Sequence, residues 1–496
     1  DRVTLTTRRA GLGPEHGVRW ESEGEGTYSV ETADKAGRGT EICLHLKEDE
    51  GEFLDGWRLR SIVNKFSDHI AIPIEMQGEA GDDEGAEPSW EQVNKGMALW
   101  MRNKAEIGDD EYREFYKHIG HDFEDPLAWI HNRVEGTSEY VSLLYVPQRA
   151  PFDLWDPNQH HGVKLHVRRV FIMDEAEKLM PRYLRFVRGI VDSDDLPLNV
   201  SRELLQHDRK IDTIRSANTK RVLGLLESMT KDDPDKYEKF WEAFGRVMKE
   251  GPAEDHANSE RIAGLLRFAT TKSAGDVEDV SLETYVGRMA EGQDRIYYIT
   301  AETPAAAKNS PHLEIFRKRD IEVLLLSDRV DEWLVAHLTE FDGKPLQSVA
   351  KGAIDLDRTE DAEEGEDQAA EDSAHKELLE RLKKALAGVA KDVRVSHRLV
   401  ESPACLVVDD YEMSQNLARV LKQLGQEAPK SQPILEVNAT HPLVDRLAEE
   451  ADEARFGDLA HLLFDQAQLA EGGQLDDPAA FVQRLNQLLA ALFKAA

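Results

Sequence analysis

Two hydrophobic periods alternate along this chain and divide it into segments. At 41–46 polar and apolar residues alternate strictly, so Ile42, Leu44 and Leu46 leave one face and a strand is predicted. Residues 3–7 and 27–32, rich in β-branched and aromatic side chains, also read as strands. The period lengthens over 52–70, where Phe53, Trp57, Ile62, Val63 and Phe66 carry helical spacing. Strands are predicted again at 140–146 and 163–172, and helices over 211–228 and 237–249. Two short apolar runs, 295–300 and 321–326, flank a helical stretch, which is a βαβ signature. Helical stripes then dominate. They are Leu378, Leu379, Leu382, Leu386 and Val389, then Met413, Leu417, Val420, Leu421 and Leu424, then Phe481, Val482, Leu485, Leu488, Leu489, Leu492 and Phe493. A terminal apolar helix needs a partner surface, and self-association is the simplest one. No repeat of about 20 to 50 residues is present, which argues against a solenoid.

Two stretches interrupt the pattern. Residues 78–88 are polar and acidic with three glycines and a closing proline, and read as a linker. Residues 354–372 hold ten acidic side chains and one basic one, Arg358, and read as a solvated segment. With 496 residues, two to four domains are expected. The expected division is 1–77, an acidic linker 78–88, an α/β domain 89–352, a second acidic linker 353–373, and a mainly helical domain 374–496. The first of these is too short for a complete three-layer domain. Because residue 1 is an aspartate inside a predicted strand, the chain is expected to open partway through that domain.

Composition narrows the function. The formal charge of −34, from 62 basic and 96 acidic residues, repels nucleic acid and anionic membranes. Cys43 and Cys405 are the only cysteines, which excludes a disulfide framework or a cysteine zinc motif and fits a reducing cytoplasm. No run of about eighteen apolar residues suggests a membrane span. The hydrolase, Walker, zinc-protease and dinucleotide motifs are all missing. His160 and His161 stand near Asp153 and Asp156, but adjacent residues on a strand point to opposite faces, which argues against a shared metal.

The strongest chemical signal lies at 196–206. Arg202 and Gln206 are four residues apart at the start of a predicted helix, so their side chains share a face. Asn199 or Ser201 can cap that helix, leaving backbone N–H groups at its positive end. An arginine, a glutamine and a helix N-terminus suit a phosphate that develops charge.

In its longer context, from Phe186-Val187-Arg188-Gly189-Ile190-Val191 through Gln206, this stretch resembles the middle domain of the heat-shock protein 90 chaperones, in particular the bacterial type. The resemblance extends along the chain. It includes Gly17-Val18-Arg19-Trp20-Glu21-Ser22, Arg38-Gly39-Thr40-Glu41-Ile42, Tyr112-Arg113-Glu114-Phe115-Tyr116-Lys117, and Leu144-Tyr145-Val146-Pro147-Gln148-Arg149-Ala150-Pro151-Phe152-Asp153-Leu154. It continues through Leu324-Leu325-Leu326-Ser327-Asp328-Arg329-Val330-Asp331-Glu332-Trp333. It implies an α/β multidomain protein: the C-terminal part of a GHKL-type α/β sandwich, an α/β middle domain with βαβ units, and a mainly helical α+β dimerisation domain. It further implies a cytoplasmic, homodimeric clamp that binds and remodels partly folded client proteins, with ATP and Mg2+ as cofactors and co-chaperones as further partners. Arg202 would contact the γ-phosphate, with Gln206 beside it and Thr40 near the nucleotide. Trp333, Leu334, Met413, Leu417, Val420 and Leu421 would contact clients. The family's general-base glutamate, magnesium-binding asparagine and adenine-contacting turn precede the matched region, so this chain would not hydrolyse ATP by itself. Alternatives stay open: Thr40 as a plain strand residue, Trp333 as a core aromatic, and the whole protein as an ATP-independent holdase or scaffold. A DNA-acting ATPase of the same superfamily conflicts with the charge of −34.

Overall fold

The computed structural model describes residues 1–78, 89–136, 138–156, 161–198, 209–354, 356, 375–423, 425–426 and 432–495. Most of the two predicted acidic linkers, together with Arg202, Gln206, His160 and Leu424, lie outside the described residues.

The first sheet is antiparallel, with β1 (Arg2–Arg8), β2 (Gly17–Ser22), β3 (Ser29–Ala33) and β4 (Gly39–His45) in the order β3-β2-β1-β4. Register places Leu5 opposite both Trp20 and Ile42, and Trp20 opposite Val30, so these four share a face. That face is open among the described residues, with Val30 58%, Ile42 60% and Leu44 61% exposed. Helix α1 (Gly56–Phe66) is shorter than the spacing predicts, because Asp55 caps it by accepting from the Trp57 and Arg58 N–H groups. Its last residue, Phe66, packs edge-on against Phe171 at 5.6 Å. Two short strands follow, β5 (Glu75–Gln77) and β6 (Trp90–Gln92), which pair antiparallel.

After α2 (Asp109–Gly120) comes a five-stranded sheet of β7 (Ala128–Val134), β8 (Tyr140–Val146), β9 (Val163–Val167), β10 (Val170–Ala176) and β11 (Arg188–Ser193), in the order β10-β9-β11-β8-β7. Strand β8 is buried throughout because both faces are covered. Tyr140, Leu144 and Val146 join the main core, while Val141, Leu143 and Tyr145 pack with Trp100, Tyr112 and Tyr116. The strand predicted over 163–172 is instead a hairpin, β9 and β10, that turns at Arg168 (φ 51°) and Arg169 (φ 68°). Such a turn normally announces itself by Asn or Gly. Two arginines carry no such signal, and here the turn is held from β11: Arg168 N–H donates to Ser193 O (3.2 Å) and Arg169 N–H to Asp192 Oδ1 (3.1 Å).

Four helices pack on that sheet: α3 (Arg209–Asp232), α4 (Pro234–Met248), α5 (Gly251–Glu254) and α6 (Ser259–Leu265). The next segment is β12 (Ala269–Thr270), α7 (Leu282–Gly287), β13 (Ile296–Thr300), α8 (Pro304–Lys308), α9 (Glu314–Lys318), β14 (Leu324–Leu326), α10 (Asp331–His337), β15 (Glu340–Phe341) and β16 (Lys344–Ser348). Its sheet runs β12-β14-β13-β16-β15, and β13 pairs parallel with β14 across helices, the expected βαβ unit. The last segment holds α11 (Lys376–Ala385), β17 (Asp392–Val395), β18 (Ala404–Val407), α12 (Gln415–Gln423), β19 (Ile434–Val437), α13 (Pro442–Ala448), α14 (Glu453–Ala470) and α15 (Pro478–Ala495). Leu378, Leu382, Val393, Leu435, Phe456 and Leu463 form its core, whereas Val389 is 37% exposed. The whole is a mixed α/β architecture built on several sheets.

Where α1 meets the five-stranded sheet, Trp100 (1% exposed) donates its indole N–H to Asp192 at 2.8 Å. Its ring lies 4.7 Å from His69 and 5.0 Å from His166, and its carbonyl is 2.8 Å from His131 Nε2. A carbonyl only accepts, so His131 Nε2 carries the proton and Nδ1 accepts from Tyr112 OH at 2.7 Å. Burial lowers His69, His118 and His131 below the ordinary imidazole value, and His166 to about 3. Below the unfolded value of about 6.5 the unfolded chain takes up protons that these native imidazoles refuse. Their stabilising contribution is therefore intact above that pH and is lost progressively as pH falls toward 3. Melting followed by near-ultraviolet circular dichroism should show the transition temperature dropping between pH 7 and pH 5. His166→Phe should flatten that slope, and an unchanged slope would remove His166 from the account.

Candidate functional site

Two places gather the residues singled out by sequence. The first is the end of β11, where the chain leaves toward Arg202. Its stem is tied down from several sides. Asp194 N–H donates to Glu139 O (3.1 Å), Glu139 N–H donates to Asp195 Oδ2 (2.7 Å), and Arg168 Nε donates to Asp194 O (3.2 Å). Leu196 is buried, and Lys210, in the first turn of α3, donates to Asp195 O at 3.1 Å. Both ends of the segment carrying Arg202 and Gln206 are thus tied together, one at the end of the central strand β11 and the other at the start of α3. Those two side chains themselves lie outside the described residues. The stem is mixed in charge: Arg168 is exposed and Arg169 Nε is buried without a hydrogen-bond partner among the described residues, beside the carboxylates of Asp192, Asp194 and Asp195. Asp192, between the turn and Trp100, is raised above the ordinary carboxyl value by burial, which its two hydrogen bonds oppose. Cations at a strand end beside a helix start can hold an anion such as phosphate.

Thr40 does not belong to this constellation. It sits on β4, exposed along its whole length, and its hydroxyl is hydrogen-bonded to Thr7 at 2.8 Å. No enclosure for a nucleotide surrounds it among the described residues.

The second place is around Trp333. On α10 Trp333 is 43% exposed, while the neighbouring Leu334 is 1% exposed. Consecutive helical positions point about 100° apart, so one turns outward and the next into the core. Leu334 therefore leaves the expected surface patch. Among the others, Val420 on α12 is 8% exposed, and Met413, Leu417 and Leu421 are half-buried. Trp333 and Val420 meet in one groove of about 310 Å³, lined also by Glu250, Ala253, Arg329 and Val330. Helix α12 is held there by the buried carboxylate of Glu332, which accepts from Ser414 Oγ (2.8 Å) and Asn416 Nδ2 (2.8 Å). Arg329 also donates to Gln423 Oε1 at 3.1 Å.

Beneath the groove is a group that sequence reasoning missed. The ammonium of Lys249 is fully buried, 2.8 Å from Asp328, 2.9 Å from Glu278 and 3.1 Å from Asp331. Burial opposes its charge, yet the three carboxylates hold it well above the ordinary lysine value. Burial pushes Asp331 up to about 6 in spite of Lys249. The available signal was a lysine directly after the apolar stripe Phe240, Phe244, Val247 and Met248, where a solvated residue would interrupt the buried face.

The profile of the family described as Hsp90 protein matches residues 84–495. The chaperone protein HtpG of Nitrosococcus oceani is 60% identical over 495 residues, covering 99% of this chain and 78% of that protein. HtpG of Dechloromonas aromatica is 61% identical over 497 residues, covering 99% and 77%. HtpG of Methylococcus capsulatus is 58% identical over 496 residues, covering 99% and 78%.

Replacing Lys249 by Met leaves three carboxylates facing one another with only the exposed Arg246, 2.9 Å from Asp328, as counter-charge. Removing one partner of a buried ion network costs on the order of 3–5 kcal/mol. Native-state hydrogen exchange of α10 should accelerate accordingly, and a change below about 1 kcal/mol would show the network to be dispensable.

Proposed function

The chain belongs to the heat-shock protein 90 family, a family of molecular chaperones, and on that footing we propose that it is a homodimeric clamp that captures partly folded client proteins under the control of ATP. The observation that carries the capture step is the groove in which Trp333, exposed on α10, meets Val420 of α12. Trp333 does not stand alone, because a second apolar residue from a distant segment, Val420, lines the same groove. Leu417 and Leu421 of α12, with Met413 just before it, are half-buried and would add to that surface, the methionine as a side chain that adapts to varied partners.

The link to ATP is supported by the anchored stem, with Arg168 and Lys210 in it, of the segment that carries Arg202 and Gln206. An arginine delivered from a fixed base can meet phosphate charge and reward a closed arrangement. The resemblance gives Mg2+ as the accompanying ion. Self-association through α15 is supported by its outward face: Val482 is 51% and Leu489 43% exposed. No described helix is long and apolar enough to cross a membrane. The charge of −34 makes nucleic acid an unsuitable partner.

Suppression of aggregation of a heat-unfolded reporter protein tests both halves. Trp333→Ala and Val420→Ala should each weaken suppression several-fold while leaving the circular dichroism spectrum unchanged. If neither does, the groove is not where clients bind. Mg-ATP should alter suppression by the chain joined to the family's upstream nucleotide-binding segment, and Arg202→Ala in that form should abolish the response. Suppression that ignores ATP in both would replace the clamp with an ATP-independent holdase.

A further inference from the structure

Where the β12–β16 sheet meets the β17–β19 sheet, a cavity is lined with polar groups from both sides. Arg398, 1% exposed, builds the joint by donating to Glu436 Oε2 (2.8 Å), to Gly352 O (2.5 Å) and to Val349 O. Arg394 adds a second bond to Gly352 O at 2.9 Å. Beside this clamp lies a cavity of about 40 Å³, walled by His312, Ser348 and Lys351 on one side and Asn416, Arg419 and Glu471 on the other. It has room for roughly three waters or one small ion.

Its hydrogen bonding is incomplete in one direction. His312 is 2% exposed, and neither ring nitrogen is hydrogen-bonded, although Nε2 stands 3.3 Å from Glu471 Oε1. Arg419 donates through Nη1 to Gly472 O (2.6 Å) and through Nη2 to Glu471 O (3.5 Å), which leaves Nε buried and unpartnered. Lys351 donates to the Glu412 carbonyl at 2.7 Å. Neither cation is paired with a carboxylate among the described residues, in a chain where acidic groups outnumber basic ones by 96 to 62. Buried N–H donors without acceptors are costly, and two cations without counter-charge call for an anion.

We propose that this cavity binds a tetrahedral oxyanion of the size of inorganic phosphate or sulfate. The anion accepts from Arg419 Nε and from the His312 ring, and Lys351 supplies the second positive charge. Glu471 Oε1 already accepts from Leu406 N–H at 2.6 Å, and its own charge confines the anion to the Arg419 and Lys351 side. Because the donors come from both sides of the joint, a bound anion tightens it. The inference stands apart from the chaperone reading.

Isothermal titration of the full chain with inorganic phosphate, in chloride buffer of constant ionic strength, tests it. Hydrogen exchange across α12 is measured in parallel. The wild type should show saturable binding and slowed exchange in α12. Arg419→Gln and His312→Leu should each weaken binding at least tenfold. His312→Leu removes no hydrogen bond made by the ring within the protein, so its melting temperature keeps the test sound even if Arg419→Gln loosens the joint. Equal binding by wild type and both variants would mean an adventitious ion only and would overturn the proposal. So would the absence of saturable heat, which would leave the cavity to water.

Discussion

An ammonium group that never meets water has to be placed together with its counter-charges, and Lys249 therefore constrains three separate segments at once. Glu278 precedes α7, Asp328 follows β14, and Asp331 opens α10, and each must reach within about 3 Å of the same nitrogen. That requirement fixes the rotation of α10 about its axis. Asp331 and Leu334 turn inward, so Trp333 between them must turn outward. The exposure of the tryptophan is thus a result of buried electrostatics and not of a loose loop.

From this fixed point the rest of the molecule divides into packed bodies and polar joints. One continuous core runs from Leu196, at the stem of the Arg202 segment, through Ile211, Ile214 and Phe244 to Phe268 and Leu334 under the groove. Close-packed interiors resist continuous deformation, so the two candidate places move as one body. Rearrangement is left to the contacts with more polar chemistry. One is the Trp100 cluster with its neutral histidines, beside α1. The other is the joint where Glu332 accepts from Ser414 and Asn416 and Arg398 grips the carbonyls before the acidic segment. Hydrogen bonds of this kind have alternatives in water, whereas a filled core does not.

Elements with a strong period were legible in the sequence. Strand β8, helices α3 and α4, and the βαβ unit around β13 and β14 appear where apolar spacing puts them. What escaped was chemistry without a local signature. The β9–β10 turn uses two arginines because acceptors on β11 hold their backbone, and those acceptors are remote in sequence. The resemblance grouped Leu334 with Trp333, whereas the helix turns them about 100° apart. Lys249 read as an ordinary polar end of a helix, since its three partners lie 29, 79 and 82 positions away. The resemblance placed Arg202 and Trp333 as candidates, yet only the fold brings Val420 to Trp333 across a long stretch of chain.

The dimensions of that meeting place bear on what it can receive. A groove of about 310 Å³ is at the small end of binding cavities and admits a few side chains, not the surface of a folded protein. Its floor is Ala253, Val330, Trp333 and Val420, and its rim carries one charge of each sign, Glu250 and Arg329. Such a rim discriminates little between basic and acidic neighbours, and the apolar floor rewards any exposed hydrophobic residue. An extended segment can offer such residues one at a time, whereas a native domain has already buried them. On the proposed reading of this groove as a client site, selectivity for unfolded over folded partners needs no sequence code, only a small apolar groove.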